Sequence, residues 1–394
     1  MTRRRVVAGV TLGHFLSHFY ILVYPPLFPF LAGRFGLSNA RLGLVMSVGI
    51  VGPLCLQLPV GRVVDRVGGK WTLVGGLALT GAGTALVGTA GSFRAVLLWA
   101  GVAGLGQSVF HPADYALLEA ASGAARRGRT FSFHTFGGYA GFAAAPVVVG
   151  TLAGAYGWRP AVVAVGCAGV GYALLLAAGL PPAYRRTRPS GAAGTDTEGT
   201  GWRALVSPPL LALVAFYFLT AVAVKGIQTF GPRLLSAEYG LAADVGNLAL
   251  ALFFVGAMAG ILLGGRAADA LSESRVIVGA LSAAVACLLA LASGVPVGTV
   301  AVGTLAVVGL AVGLTLPSRD SLVGGVSPAG VGSSFGLVFT GLSLGGVLAP
   351  PLLGAVADAS DLGVTFLAVA LCYGAAMLVV SLVRVPVSAW LPTG

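Results

Sequence analysis

The sequence predicts an all-α membrane protein with twelve transmembrane helices in two pseudo-symmetric six-helix bundles, and three observations support that fold class. Of the 394 residues, 57% are hydrophobic and only 9% are charged, whereas soluble domains carry roughly 25% charged residues. Apolar segments long enough to cross a bilayer recur along the chain. Motifs of the first half return in the second half at a constant distance.

The predicted spans are apolar segments of about 20 residues or more, the length that crosses ~30 Å of hydrocarbon. They must be helices, because open strands would leave unpaired backbone groups in lipid. The first six lie near residues 6–31, 42–61, 71–90, 93–119, 130–154 and 160–180. The second six lie near residues 207–232, 244–264, 275–294, 298–322, 332–355 and 364–384.

Residues 181–206 separate the two sets of spans and are rich in Pro, Gly, Thr and Arg. Such a composition does not bury enough apolar surface to fold alone. We therefore predict a cytoplasmic linker at 181–206 between bundles formed by residues 1–180 and 207–394.

The net charge of +11 is predicted to reflect membrane topology rather than a nucleic-acid partner. With these spans, most basic residues lie on the side of the two termini. The other side holds only Arg34, Arg41, Arg94, Arg159 and Arg233. By the positive-inside rule, both termini are expected in the cytoplasm of a multi-pass inner-membrane protein.

The internal repeat has an offset of 204 residues (240 − 36). The recurring positions are Gly36-Leu37 and Gly240-Leu241, Gly61-x-x-x-Asp65 and Gly265-x-x-x-Asp269, Phe131 and Phe335, Pro146 and Pro350, and Gly150 and Gly354. A duplicated six-helix unit with parallel halves is typical of transporters, which bind substrate between the halves near the bilayer midplane.

One segment, Gly61-Arg-Val-Val-Asp65-Arg66-Val-Gly68-Gly-Lys70, resembles the signature between helices 2 and 3 of the major facilitator superfamily, G-x-x-x-D-R-x-G-R-K/R. Gly69 stands where Arg is usual. The resemblance implies the major facilitator fold, with this loop latching the halves while the cytoplasmic side is closed. The candidate latch residues are Gly61, Asp65, Arg66, Gly68 and Lys70, with Gly265 and Asp269 in the second half. The alternative is an ordinary solvated turn whose charges set the topology.

Two further patterns carry the resemblance. In the fifth helix, Gly141-x-x-x-Ala145-Pro146-x-x-x-Gly150 is similar to the antiporter pattern G-x-x-x-G-P-x-x-G-G, and implies a packing motif that Pro350 and Gly354 repeat. The fourth helix contains Gly104-Leu-Gly106-Gln-Ser-Val-Phe110-His111-Pro112, which looks like the fosmidomycin-resistance branch of drug-efflux proteins. Trp99 and Ala100 occupy the place where many members carry an Arg.

Ionisable groups inside spans are expensive and suggest function. His14 and His18 lie one turn apart on one face of the first helix. Lys225 in the seventh helix corresponds to Ile21 under the repeat, so it is predicted to share the cavity face with the histidines. It would either contact an anionic substrate or act as a titrating group in a dry cavity. Gln228 is a weaker candidate on that face. The alternative for Lys225 is snorkelling to the outer interface.

The fourth helix carries a polar stripe of Gln107, His111 and Asp114, a pattern that suits proton transfer because His titrates near neutral pH. Aligning Pro112 with Pro317 sets Asp114 opposite Arg319, which suggests a cytoplasmic gate across the halves. In the other interpretation, Asp114 pairs with an arginine among residues 126–129 and Asp320 neutralises Arg319.

His134 lies near the start of the fifth helix, at a depth similar to that of His14 and His111. A packed, hydrogen-bonded role is expected for it. Although the four histidines are metal-ligand types, no carboxylate or cysteine cluster accompanies them in the sequence. No metal site is therefore predicted, and no cofactor.

These residues predict a secondary active transporter that moves a small anionic or zwitterionic organic molecule by alternating access, as a proton-coupled exporter. The alternative is a proton symporter that imports a small organic anion such as a carboxylate. An enzyme is not expected, because no nucleophile–base or paired-acid motif lies in the spans. The absence of a Gly-x-x-x-x-Gly-Lys-Ser/Thr motif argues against ATP as the energy source. The expected partners are the substrate, protons and the lipid bilayer, and the expected state is a monomer.

Overall fold

The computed structural model describes residues 3–122, 126–181, 207–326 and 331–383. Every regular element within those ranges is helical. The chain divides into two compact units, Met1–Ala192 and Ala193–Gly394. The predicted linker at 181–206 lies outside the described residues except at position 181.

The described part of the first unit contains eight α-helices and the short 3-10 helix Pro25–Leu27. In chain order they are α1 (Arg3–Ile21), the 3-10 helix (Pro25–Leu27), α2 (Phe28–Phe35), α3 (Asn39–Val67), α4 (Gly69–Val87), α5 (Phe93–Gln107), α6 (Phe110–Ala121), α7 (Arg127–Tyr156) and α8 (Trp158–Gly179). Helices α1 and α2 form one apolar span, and α5 and α6 form another.

The second unit contains six long helices in its described part. They are α9 (Pro208–Tyr239), α10 (Ala243–Ala270), α11 (Glu273–Ala292), α12 (Thr299–Gly325), α13 (Val331–Ala359) and α14 (Leu362–Leu382). Each is long and apolar enough to cross a membrane.

Eleven helical segments among the described residues meet that criterion. The remaining predicted span, 71–90, corresponds to α4, a continuous helix of 19 residues that is less apolar because it contains Lys70 and several Thr and Gly. The predicted all-α membrane fold is confirmed.

The first and fourth spans were predicted as continuous helices, and in the structure both are interrupted near prolines. The first breaks before Pro25-Pro26, and the fourth breaks at Ser108-Val109, shortly before Pro112. Proline lacks an N–H and its ring crowds the carbonyl four residues earlier, which opens the helix there. The chain tightens at the second break, where the Ser108 N–H donates to the Leu105 carbonyl at 3.3 Å.

The repeated Gly-Leu pair has a structural cause in both units. Gly36 and Gly240 end α2 and α9 in the left-handed conformation, with φ of 61° and 63°. A side chain at such a position would be strained, so glycine is favoured there. The repeat therefore marks the same helix-ending turn in each unit.

Glycine also allows close helix contacts in each unit. A Cβ atom on Gly141 of α7 would collide with the Phe15 carbonyl of α1. In the second unit, a Cβ atom on Gly345 of α13 would lie 2.5 Å from the Phe218 carbonyl of α9, and Gly345 follows Gly141 by the repeat offset. Close approach through small residues is the usual packing mode of membrane helices. The other residues of the predicted packing motif are buried or half-buried: Pro146, Gly150, Pro350 and Gly354.

We expect Gly141→Ala to destabilise the first unit, because the new methyl group meets backbone that has little room to move. Overpacking of this kind costs about 1–3 kcal/mol, which corresponds to a fall in melting temperature of roughly 2–10 °C. Gly154→Ala on the same helix is the matched control, since nothing lies within 4 Å of its added Cβ. Thermal unfolding of the purified variants measures the difference, and equal melting temperatures would refute the close contact.

Candidate functional site

All four histidines of the chain lie together in the first unit. The His14 ring is stacked on the His134 ring, with centroids 3.9 Å apart and an interplanar angle of 20°. It also lies 4.3 Å from the His18 ring and 5.4 Å from the His111 ring. These residues come from α1, α6 and α7, so three separate segments build one imidazole cluster.

A buried carboxylate completes this cluster. Asp114 is 0% exposed, and its Oδ2 lies 3.3 Å from His14 Nδ1 and 3.7 Å from His134 Nε2. Neither Asp114 oxygen forms a hydrogen bond within the described structure. The same holds for His14 Nδ1 and for both ring nitrogens of His134. We call His14, His18, His111, Asp114 and His134 the histidine–aspartate cluster.

Local packing explains why these side chains meet. His14 and His18 are four residues apart, so they share one face of α1. Opposite them stands Gly138 of α7, where a Cβ atom would lie 2.8 Å from His14 Nε2 and from His18 Nδ1. His134 lies one turn before Gly138, on the face that this glycine brings against α1.

The end of α5 is also tied to α1. Gln107, its last residue, donates from Nε2 to the carbonyl of Ser17 at 2.9 Å. A break at Ser108-Val109 separates Gln107 from α6, and α6 carries the buried Asp114. Gln107 is thus a positioning residue beside the cluster.

The structure changes two expectations about Asp114. Its neighbours are His14 and His134 rather than an arginine among residues 126–129, and Arg127 instead pairs with Glu119 at 2.7 Å. His111 does not pair with Asp114 either, although the two lie three residues apart. Its side chain is exposed, and its ring contacts His14 and lies 5.8 Å from the Tyr115 ring.

The prediction that no carboxylate accompanies the histidines is also wrong. In the sequence, Asp114 is near His111 only: it is 100 residues from His14 (114 − 14) and 20 from His134 (134 − 114). Folding nevertheless brings one ligand atom from each of the three residues within 4.8 Å of the others.

In the second unit, Lys225 lies within α9 and is half-buried. Its ammonium group donates to Gln228 Oε1 at 2.7 Å, and Gln228 is buried. The two residues predicted as polar candidates on this helix therefore form one hydrogen-bonded pair.

Arg319 of α12 has partners within its own unit. Its Nε donates to Asp320 Oδ1 at 2.9 Å, and its guanidinium lies over the Tyr217 ring at 4.5 Å. The Tyr217 hydroxyl donates to the same Asp320 oxygen at 2.7 Å. Asp320 therefore neutralises Arg319, as the second interpretation of the sequence has it. Tyr217 was missed, because an aromatic residue in an apolar helix gives no sequence signal for a charged partner.

The signature segment contains a shorter loop than its pattern suggests. Helix α3 continues to Val67, so Gly61, Asp65 and Arg66 are helical, and only Gly68 separates α3 from α4. Gly68 has φ 93°, a value that favours glycine. No side chain caps α4 by a hydrogen bond, and Asp65 and Arg66 are exposed.

Lys70, the last residue of the signature, is buried. Its ammonium group donates to the Leu180 carbonyl at 2.6 Å, just past the end of α8. The negative end of the α8 dipole also stabilises a cation at that position. Beside it, a Cβ atom on Gly69 would lie 3.0 Å from Leu117 and 3.3 Å from the Ala113 carbonyl, so a larger side chain at this position would require its neighbours to shift.

In the second unit, Gly265 and Asp269 both lie within α10, and Asp269 is exposed. No atom lies within 4 Å of a Cβ built on Gly265. These two residues therefore match the signature pattern in sequence, but both lie inside one helix rather than at a turn between two helices.

Comparison with known proteins agrees with this architecture. The model of the Major Facilitator Superfamily matches residues 10–242 and 215–394. The chain is 26% identical over 280 residues to the fosmidomycin resistance protein of Escherichia coli (strain K12), covering 70% of this chain and 68% of that protein.

It is also 29% identical over 181 residues to the probable sulfoacetate transporter SauU of Cupriavidus necator, covering 45% of this chain and 41% of that protein. A crystal structure of a bacterial homolog to the human lysosomal transporter Spinster, in an inward-facing and occupied conformation, superimposes with a TM-score of 0.81. It is 17% identical, with 100% of this chain and 99% of that chain covered. The chain therefore belongs to the Major Facilitator Superfamily and is a multi-pass membrane transporter rather than an enzyme.

Proposed function

We propose that this transporter exports a small organic anion or zwitterion across the inner membrane in exchange for protons, with both termini in the cytoplasm. The observation that carries this proposal is Lys225, a cation inside a spanning helix whose bonded partner is the neutral amide of Gln228. No carboxylate in the described part of the chain forms an ion pair with it. A charge left uncompensated in a membrane is costly, and an anionic substrate would compensate it.

Arg319 is a weaker candidate for the same contact. Asp320 accepts a hydrogen bond from Arg319, and Tyr217 donates to the same Asp320 oxygen. The charge of Arg319 is therefore largely balanced before any substrate arrives. Lys225 therefore supports anion binding better, with Gln228 orienting its ammonium group.

Proton coupling is assigned in this proposal to the histidine–aspartate cluster. Among the described residues, this cluster is the only group of ionisable side chains inside the spans that includes imidazoles. Imidazole exchanges protons near neutral pH. Asp114 and His14 lie close enough to share a proton. Protonation and release at such a cluster would let a proton gradient drive the conformational cycle.

The names of the relatives are compatible with export and with an anionic substrate. One is a resistance protein, which favours export, and another is named for sulfoacetate, which is an organic anion. Import of an organic anion by proton symport remains the second candidate, because the same Lys225 site and the same cluster would serve it.

Flux into proteoliposomes separates the two directions of coupling. With labelled sulfoacetate or fosmidomycin as probes, proton antiport predicts accumulation in acid-loaded vesicles, because protons leave as substrate enters. Symport predicts accumulation in alkaline-loaded vesicles instead. Vesicles whose gradient is collapsed by a protonophore are the control, and uptake that ignores the gradient in both directions would contradict proton coupling.

Lys225→Met should weaken binding of the anionic probe, because methionine keeps the length of the side chain and removes its charge. A hydrogen bond to a charged group contributes about 1.5–3 kcal/mol, so the apparent KM should rise at least about tenfold. Lys225→Arg should retain much of the affinity. Arg275→Met, which removes an exposed charge near the start of α11, is the control. If Lys225→Met and Arg275→Met give the same KM, Lys225 is not the anion contact.

We propose that Asp65 and Arg66, the exposed residues of the signature, affect the rate of the transport cycle rather than the stability of the fold. Asp65→Asn should slow transport several-fold while leaving the melting temperature unchanged, since exposed substitutions usually shift stability by less than ~0.5 kcal/mol. Asp269→Asn is the matched change in the second unit, where the Asp-Arg pair is absent, and should slow transport less. Wild-type rates in Asp65→Asn would eliminate the role.

A further inference from the structure

We propose that His14, Asp114 and His134 form a binding site for a divalent first-row transition-metal ion such as Zn²⁺. One ligand atom from each residue lies within 4.8 Å of the other two. The three residues come from α1, α6 and α7, so a bound ion would join three spanning segments of the first unit.

The distances are close to those of a tetrahedral centre. Nitrogen and oxygen ligands bind zinc at about 2.0–2.2 Å, which places ligand atoms roughly 3.3 Å from one another. Asp114 Oδ2 lies 3.3 Å from His14 Nδ1 and 3.7 Å from His134 Nε2. These two distances are within about 0.4 Å of the tetrahedral separation, and all three ligand atoms lie within 4.8 Å of one another.

The polar atoms of this site lack hydrogen bonds. Asp114 is 0% exposed, His134 is 1% exposed and His14 is 3% exposed. Both Asp114 oxygens, both His134 nitrogens and His14 Nδ1 have no hydrogen-bond partner in the described part of the chain. Buried polar atoms without partners are costly, and a cation bound at their meeting point would satisfy them.

The donor set selects the kind of metal. Two imidazoles and one carboxylate suit zinc, iron, cobalt or nickel, whereas magnesium and calcium prefer all-oxygen ligands. The His14 and His134 rings are stacked, so coordination requires one imidazole to turn about its Cβ–Cγ bond until its in-plane lone pair points at the ion.

Two further imidazoles supply a fourth ligand and a route of entry. The His18 ring lies 4.3 Å from His14, and the His111 ring lies 6.3 Å from His18. His111 is exposed, His18 is half-buried and His14 is buried. The series leads from the protein surface to Asp114, and a metal ion passing along it meets an imidazole at each step.

Metal binding at the cluster is separate from the choice of substrate, but it competes with protons for the same atoms. Metal ligands must be deprotonated, so metal binding releases protons. An ion held there would also stabilise the folded first unit, because it binds the folded state and not the separated helices.

Titration of the purified full-length protein with Co²⁺ tests the site. The protein carries no polyhistidine tag, its free cysteines are alkylated, and it is first treated with a chelator. We expect the visible absorption of tetrahedral Co²⁺ to saturate at one ion per chain, to disappear when Zn²⁺ is added, and to accompany a rise in melting temperature. Wild-type protein that shows neither saturable absorption nor a thermal shift overturns the proposal.

Variants locate the ion. Asp114→Asn and His134→Asn should each weaken Co²⁺ binding by more than about tenfold, the smaller end of the loss seen when only the outer partners of metal ligands are changed. Thr11→Val is the matched control, a buried position on the same helix as His14 with no ligand atom in the site, and should bind as wild type does. If a ligand variant binds Co²⁺ as tightly as the control, the site lies elsewhere and the proposal fails.

The Co²⁺ absorption and the melting temperature are measured without any transport assay. Protein that binds Co²⁺ at these residues and moves no organic anion would refute the proposed function alone. Protein that transports with proton coupling and never binds Co²⁺ would refute the metal site alone.

Discussion

Hydrocarbon offers no hydrogen-bond partners, and this constraint governs every polar side chain in the spans. In the described structure, backbone carbonyls of neighbouring helices accept several of these side-chain hydrogen bonds. Tyr20 of α1 donates to the Val165 carbonyl of α8 at 2.6 Å, and Tyr172 of α8 donates to the Gly9 carbonyl of α1 at 2.8 Å. Lys70 does the same at the end of α8. These bonds are part of the scaffold, because each one both satisfies a donor and fixes one helix against another.

Asp114 and Lys225 depart from that pattern. Asp114 is enclosed by imidazoles without forming a hydrogen bond, and Lys225 bonds to a neutral amide. Packing alone does not require a charge-bearing residue at either place, since an apolar side chain of similar volume would avoid the desolvation penalty. These two exceptions are the residues to which the proposed activities are assigned.

Much of the fold could be predicted from the sequence, since hydropathy and the repeat depend on local composition. The span lengths, the duplicated units and the Gly36 and Gly240 turns all follow from such signals. Breaks near Pro25 and Pro112 were missed because proline is tolerated in membrane helices, and its effect depends on neighbouring packing. Convergence of Asp114 with His14 and His134 could not be predicted either, because one sequence carries no information on which faces of α1, α6 and α7 meet. Gly138 and Gly141 are local traces of the contact between α1 and α7, but they do not show that Asp114 joins it.

The repeat offset also shows where the two units have diverged. At the offset of 204 residues, His14 corresponds to Phe218, Asp114 to Ser318 and His134 to Val338. Aligning Pro112 with Pro317 sets Asp114 opposite Arg319 instead, and with either alignment the acid–imidazole group has no copy in the second half. Lys225 conversely has an isoleucine as its counterpart. The glycine contacts are thus common to both units, while the ionisable side chains inside the spans differ between them. A tandem of two first units would keep the close helix contacts and would lack Lys225, so the second unit cannot be replaced by a copy of the first without losing that cation.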